Sequence, residues 1–200
     1  MKSVLVAALL ALVSTAAVAS QSRPFPHPQP APAADAQPDP ALSDDDIRGQ
    51  VRAYLGSIDT PITAARWKAL GPRAEVALVE VVSSTALPTR RAKAIDGLSA
   101  VGTQKTSMLK GIATNEQEVF VVRYAALRAL GNLLSEPQMI STLTPVMKGA
   151  SDLRIRAAAG SVMTHKSPKA TCASVRAQTA RESKDDRAQF GRALDACLGQ

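Results

Sequence analysis

Four arginines recur at a near-constant interval: Arg91, Arg123, Arg156 and Arg187 are separated by 32, 33 and 31 residues. Three positions after each stand Ala94, Ala126, Ala159 and Phe190. Six positions after come Gly97, Ala129, Val162 and Ala193, and seven after come Leu98, Leu130, Met163 and Leu194. Apolar residues spaced by three, four and seven share one face of a helix. Each arginine therefore opens a helix with a repeated buried stripe. In VVRYAALRALGNL (121–133) that stripe is Val122, Ala125, Ala126, Ala129, Leu130 and Leu133. The helix dipole disfavours a cation in the first turn, so a single helix gives no reason for Arg123. A contact that recurs from unit to unit would give one.

Helix-start residues halve the interval. Ser, Thr, Asn and Asp side chains accept hydrogen bonds from the free N–H groups of a first turn. Ser135, Ser151, Ser167 and Ser183 stand sixteen residues apart, each ahead of about thirteen helix-compatible residues. Ser43 leads Asp44, Asp45 and Asp46, Thr60 precedes Pro61, and Asn115 is followed three residues on by Glu118, all patterns that begin helices. Two helices thus fill each interval. Aromatics are few and β-branched residues do not alternate, which argues against strands. A period of 31 to 33 residues with paired helices predicts an all-α chain, a short α-solenoid whose pairs bury their apolar faces against their neighbours.

These motifs resemble HEAT-like repeats of the short bacterial kind, members of the armadillo/HEAT superfamily. In such repeats a first helix like PRAEVALVEVV (72–82) is followed by an acid-containing turn. A second helix then opens with V-R-x-x-A-x-x-A-L-G, which VRYAALRALG (122–131) and DLRIRAAAGSV (152–162) match. The last unit departs, with Phe190 in place of a small residue and Ala193-Leu194-Asp195 in place of the closing Ala-Leu-Gly. At the front, ARWKALG (65–71) has the closing motif but Thr63 where the arginine would stand. The resemblance covers roughly Pro61 to Cys197. It implies a right-handed solenoid of antiparallel helix pairs and a structural role for Arg91, Arg123, Arg156 and Arg187. The arginines would bond acids of the turns, namely Glu118, Asp152 and Asp186, or the neighbouring repeat, and Arg91 has no obvious local partner.

Two segments precede the repeats. Residues 1–19 combine Lys2, an apolar run from Val4 to Ala19 and an Ala17-Val18-Ala19 exit, the pattern of a secretory signal peptide. The run is shorter than the roughly 20 residues a spanning helix needs, so no membrane insertion is expected after cleavage. Residues 20–42 hold seven of the thirteen prolines and read as an extended linker, with His27 a solvated spacer residue. The repeat domain is then 43–200. Export makes a disulfide between Cys172 and Cys197 the leading reading, although a regular hairpin would set Cys172 opposite position 193 and leave Cys197 one turn too far.

Catalytic and metal patterns are sparse. His165, the one histidine of the repeat domain, ends a helix, where a cation suits the dipole. No nucleophile elbow, phosphate loop or Rossmann glycine pattern is present, and Asp44–Asp46 lack the alternation of a calcium loop. No catalytic residue, metal site or cofactor is expected. Residues 101–181 carry 11 basic and 4 acidic residues, an excess of seven. Tyr124 and Arg128, which lie off the buried stripe, are the expected binding residues on a basic concave surface. The chain thus reads as a periplasmic or secreted interaction module or scaffold for a protein partner, an acidic protein being one candidate. A binder of anionic envelope polymers and a hydrolase or lyase with an unrecognised site are the alternatives. Nucleic acid is disfavoured by export and by the lack of stacking aromatics.

Overall fold

The structure, a computed structural model, describes residues 42–57 and 61–198. The expected signal peptide, the linker up to residue 41, and Thr60 lie outside the described residues. Among those described there are ten α-helices, one short 3-10 helix and no strand. The α-helices are α1 (Asp44–Gly56), α2 (Ala64–Ala69), α3 (Ala74–Ser83), α4 (Pro88–Val101), α5 (Thr106–Thr114), α6 (Phe120–Leu133), α7 (Glu136–Gly149), α8 (Leu153–Lys166), α9 (Pro168–Arg181) and α10 (Gly191–Asp195). The 3-10 helix is Asp186–Phe190, directly ahead of α10.

Local chemistry sets these boundaries. Ser43 and Asp46 form a reciprocal capping box, in which the Asp46 N–H donates to Ser43 Oγ at 3.2 Å and the Ser43 N–H donates to Asp46 Oδ2 at 3.0 Å. The short α2 is capped by Thr63, whose hydroxyl accepts from the Arg66 N–H. Gly71 (φ 69°) and Gly102 (φ 76°) follow α2 and α4 in the left-handed conformation that ends helices and that only glycine adopts without strain. Asn115 differs from the expectation: it ends α5 rather than opening α6, and its side chain accepts from the Gln117 N–H in a local turn. Asp152, not Ser151, caps α8, accepting from the Arg154 N–H at 2.9 Å.

Packing follows the sequence interval. The helix pairs α3 with α4, α5 with α6, and α7 with α8 lie against each other, and α2, α4, α6 and α8 pack side by side in a row. The 3-10 helix and α10 lie against α8 at the row's end. The column three residues after each repeat arginine is the core of this row: Ala94, Ala126, Ala159 and Phe190 are all fully buried. Small side chains there let adjacent helices approach. The Phe190 ring lies beside Gly160, where even an added Cβ would stand at an ordinary contact distance of 3.6 Å. Helix α6 is covered from several sides, so Leu127 and even Arg123 are buried besides most of the expected stripe, while Leu133 is half-buried.

Cys172 and Cys197 are disulfide-bonded, with Cα atoms 5.7 Å apart. The stagger that a regular hairpin lacked comes from the irregular last unit. It is not one straight α-helix: the 3-10 helix leads into the five-residue α10, and Cys197 lies in a turn beyond it. The bonded pair points to an oxidising compartment outside the cytoplasm, and no helix among the described residues is long and apolar enough to cross a membrane.

Candidate functional site

The repeat arginines share one task. Arg91 Nε donates to Val82 O at 2.9 Å, Arg123 Nε to Ala113 O at 3.1 Å, and Arg156 Nη1 to Ala150 O at 2.9 Å. Arg187 Nη2 donates to Ala180 O at 3.1 Å. Each acceptor is a carbonyl at the end of the preceding helix, where the chain leaves oxygens without an intrahelical partner. A guanidinium placed there satisfies the carbonyl and complements the negative end of that helix dipole. A cation unfavourable to its own helix is thus favourable to the one before it.

Their acidic partners differ in part from the expectation. Arg91 does have one: Glu118, 27 residues on, accepts both its terminal nitrogens at 3.0 and 2.7 Å. Arg123 pairs with Glu116, and Arg156 with Glu182. Asp152 is taken instead by Arg154, which at two residues' distance reaches both carboxylate oxygens. Asp186 bonds the Ser183 hydroxyl, and Arg187 holds only backbone carbonyls. Hydrogen bonds from Arg156 and Gln178 hold the Glu182 carboxyl below the usual glutamate range despite its burial. Ser151 foremost, then Arg123, lowers Glu116 in the same way. These residues form a structural ladder inside and between pairs.

Tyr124 and Arg128 lie outside that ladder. Tyr124 stacks on Phe120 with ring centroids 5.7 Å apart and planes within 5°. The guanidinium of Arg128 lies 5.4 Å from the Tyr124 centroid and that of Arg154 4.7 Å from the Phe120 centroid, giving a column of two rings between two cations. Arg128 also pairs with Asp96 on α4. Burial pushes the Asp96 carboxyl above its usual range, outweighing the attraction of Arg128. The charge that made Arg128 a candidate is therefore largely spent within the protein.

Both residues border a groove of about 750 Å³ on the exposed side of the α2–α4–α6–α8 row. That is within the roughly 300–1,000 Å³ typical of ligand sites. Ile62, Ala100 and Val162 supply apolar lining, and Ser99, Asn132 and Ser161 supply neutral polar groups. Lys68, His165 and Lys166 also line it. His165 occupies the last turn of α8, as the sequence predicts, and faces this space. The floor exists because Gly131 lets α8 come close, since a Cβ at Gly131 would lie 2.4 Å from Val162 Cγ1. Among the described residues no group of three or more His, Cys, Asp or Glu side chains could hold a metal ion.

Asp96, Lys68 and Lys166 were not legible as site residues from their own neighbourhoods. The signal for Asp96 is the repeat interval itself, because Asp96 and Arg128 each stand five residues after a repeat arginine. No protein-family model matches the chain, and comparisons with curated proteins and with solved structures return no match.

Proposed function

We propose that the chain is an exported, non-catalytic interaction module built as a short, right-handed HEAT-like solenoid of antiparallel pairs, with the α2–α4–α6–α8 groove as its docking surface. One observation carries this reading: a row of stacked helices, of which α4, α6 and α8 are each clamped to the preceding helix by a recurring arginine, leaves a groove on the row's exposed side. Repeat stacks of this kind provide binding surfaces by extension rather than by a closed pocket. The disulfide supports a location outside the cytoplasm, in the periplasm or beyond.

The test is affinity capture from a cell-envelope fraction with the whole chain as bait. A single stoichiometric protein, retained by the wild type and lost with Tyr124→Ala, is the expected result. Equal recovery with both baits would remove the groove from the account, and turnover of envelope substrates by the purified chain would remove the non-catalytic assignment.

A further inference from the structure

The groove has a charge pattern that selects among protein partners. Of the four charged residues lining it besides His165, Arg128 and Asp96 neutralise each other. Lys68 on α2 and Lys166 on α8 remain, both exposed, and neither makes an ion pair among the described residues. They stand at opposite ends of the row, three helix spacings apart. At about 8–10 Å per spacing that is roughly 24–30 Å, the span of an extended segment of about eight residues. Between them the lining is apolar at Ile62, Ala100 and Val162, and polar but uncharged at Ser99, Asn132 and Ser161. The Asn132 amide donates weakly to Ser99 Oγ at 3.4 Å, which leaves its carbonyl oxygen for a ligand N–H.

We propose that this groove binds an extended acidic peptide, with carboxylates at Lys68 and Lys166 and an apolar side chain against Val162 and Tyr124. The inference rests on the interaction-module reading and names its ligand class. A polyanion without apolar groups would leave the central lining in water, and an uncharged peptide would gain nothing from the two exposed lysines, so a peptide that is both acidic and partly apolar fits the groove best. Arg128 contributes through its contact with the Tyr124 ring, as one wall of the groove, rather than as a charge.

Fluorescence anisotropy tests this with the whole chain and a labelled eight-residue peptide alternating glutamate and leucine. Lysine/leucine peptide, polyglutamate and polygalacturonate serve as comparisons. The glutamate/leucine peptide should bind, weaken with salt, and weaken at least tenfold in the Lys68→Glu/Lys166→Glu variant. The lysine/leucine peptide should not bind. Asp96→Asn, which releases Arg128, should tighten binding about threefold or more. No binding of the glutamate/leucine peptide, or equal binding by the double variant, overturns the proposal. So does displacement by polygalacturonate or polyglutamate as effective as by unlabelled peptide, which would assign the groove to charge alone. Both lysines are exposed and outside the core, so the double variant should keep the wild-type helical spectrum. If the peptide fails while Tyr124→Ala still abolishes envelope capture, only the acidic-peptide assignment falls and the module stands.

Discussion

Arg156 and Glu182, 26 residues apart, meet through two hydrogen bonds of 3.0 and 2.7 Å, and both side chains are mostly shielded from water. The folded chain holds the Glu182 carboxyl below the usual glutamate range, so the folded state favours its ionised form. Its contribution is present above the unfolded value of about 4.3 and is lost as pH falls through the lower folded value. Glu182→Gln keeps an acceptor but loses the charge, and should cost about 2 kcal/mol at neutral pH. Urea unfolding from pH 7 to pH 3 should show a shallower acid loss in the variant than in the wild type. Parallel curves would show that the pair is not coupled to folding.

The four repeat arginines should not be equivalent. The Arg123 side chain is 3 % exposed and bonds both a helix-end carbonyl and Glu116, whereas Arg187 is exposed and bonds only carbonyls. Arg123→Ala leaves a buried carbonyl unpartnered and a void, a loss of about 3 kcal/mol, against about 1 kcal/mol for Arg187→Ala. Equal losses in chemical denaturation would contradict the structural ranking.

Close approach of α6 and α8 can be probed at Gly131. Glycine to alanine inside a helix ordinarily gains about 1 kcal/mol. Here the new methyl would meet Val162 Cγ1 at 2.4 Å, and a β-branched side chain has little freedom to move away. Gly131→Ala should therefore lower stability by about 1–2 kcal/mol, and Val162→Ala in the same chain should recover most of it. Ala126→Phe, at a fully buried position of the repeated small-residue column, should lose at least as much. A stable Ala126→Phe protein by thermal melt would contradict the helix register.

In the chain-entropy account, closing the Cys172–Cys197 loop is worth about 3.5 kcal/mol. The bridge ties the irregular last unit to α9. Reduction should lower the melting temperature and raise hydrogen exchange first in residues 186–198, leaving α4 and α6 protected. Uniform loss of protection would show that the bridge supports the whole row.

The helical class, the interval and the C-terminal end of α6 are readable in the sequence because they depend on periodicity and helix propensity, whereas its start is not, because the Asn115 cap pattern belongs to a turn. Arg123 was readable as a repeat residue but not as a clamp on α5, since nothing local to it names the Ala113 carbonyl. Acid partners differ from the expected ones where turn geometry decides: Asp152 lies nearest Arg156 in sequence, yet it caps α8 and is held by Arg154, which leaves Glu182 to reach across from the next turn. The Ser183 start signal predicts a regular helix for the final unit. The structure has a 3-10 helix there, and Phe190, a large residue in the small-residue column, lies at its end. Tyr124 is expected off the buried stripe and stands half-buried at the groove, whereas the engagement of Arg128 by Asp96 is visible only when successive units are aligned.

Site-specific photocrosslinking in the cell envelope tests the docking surface most directly. A photoreactive residue at Asn132, in the groove, should give a discrete adduct in cells, while one at Val76, exposed on α3 and outside the groove, should give none. Adducts at Val76 with none at Asn132 would contradict the account.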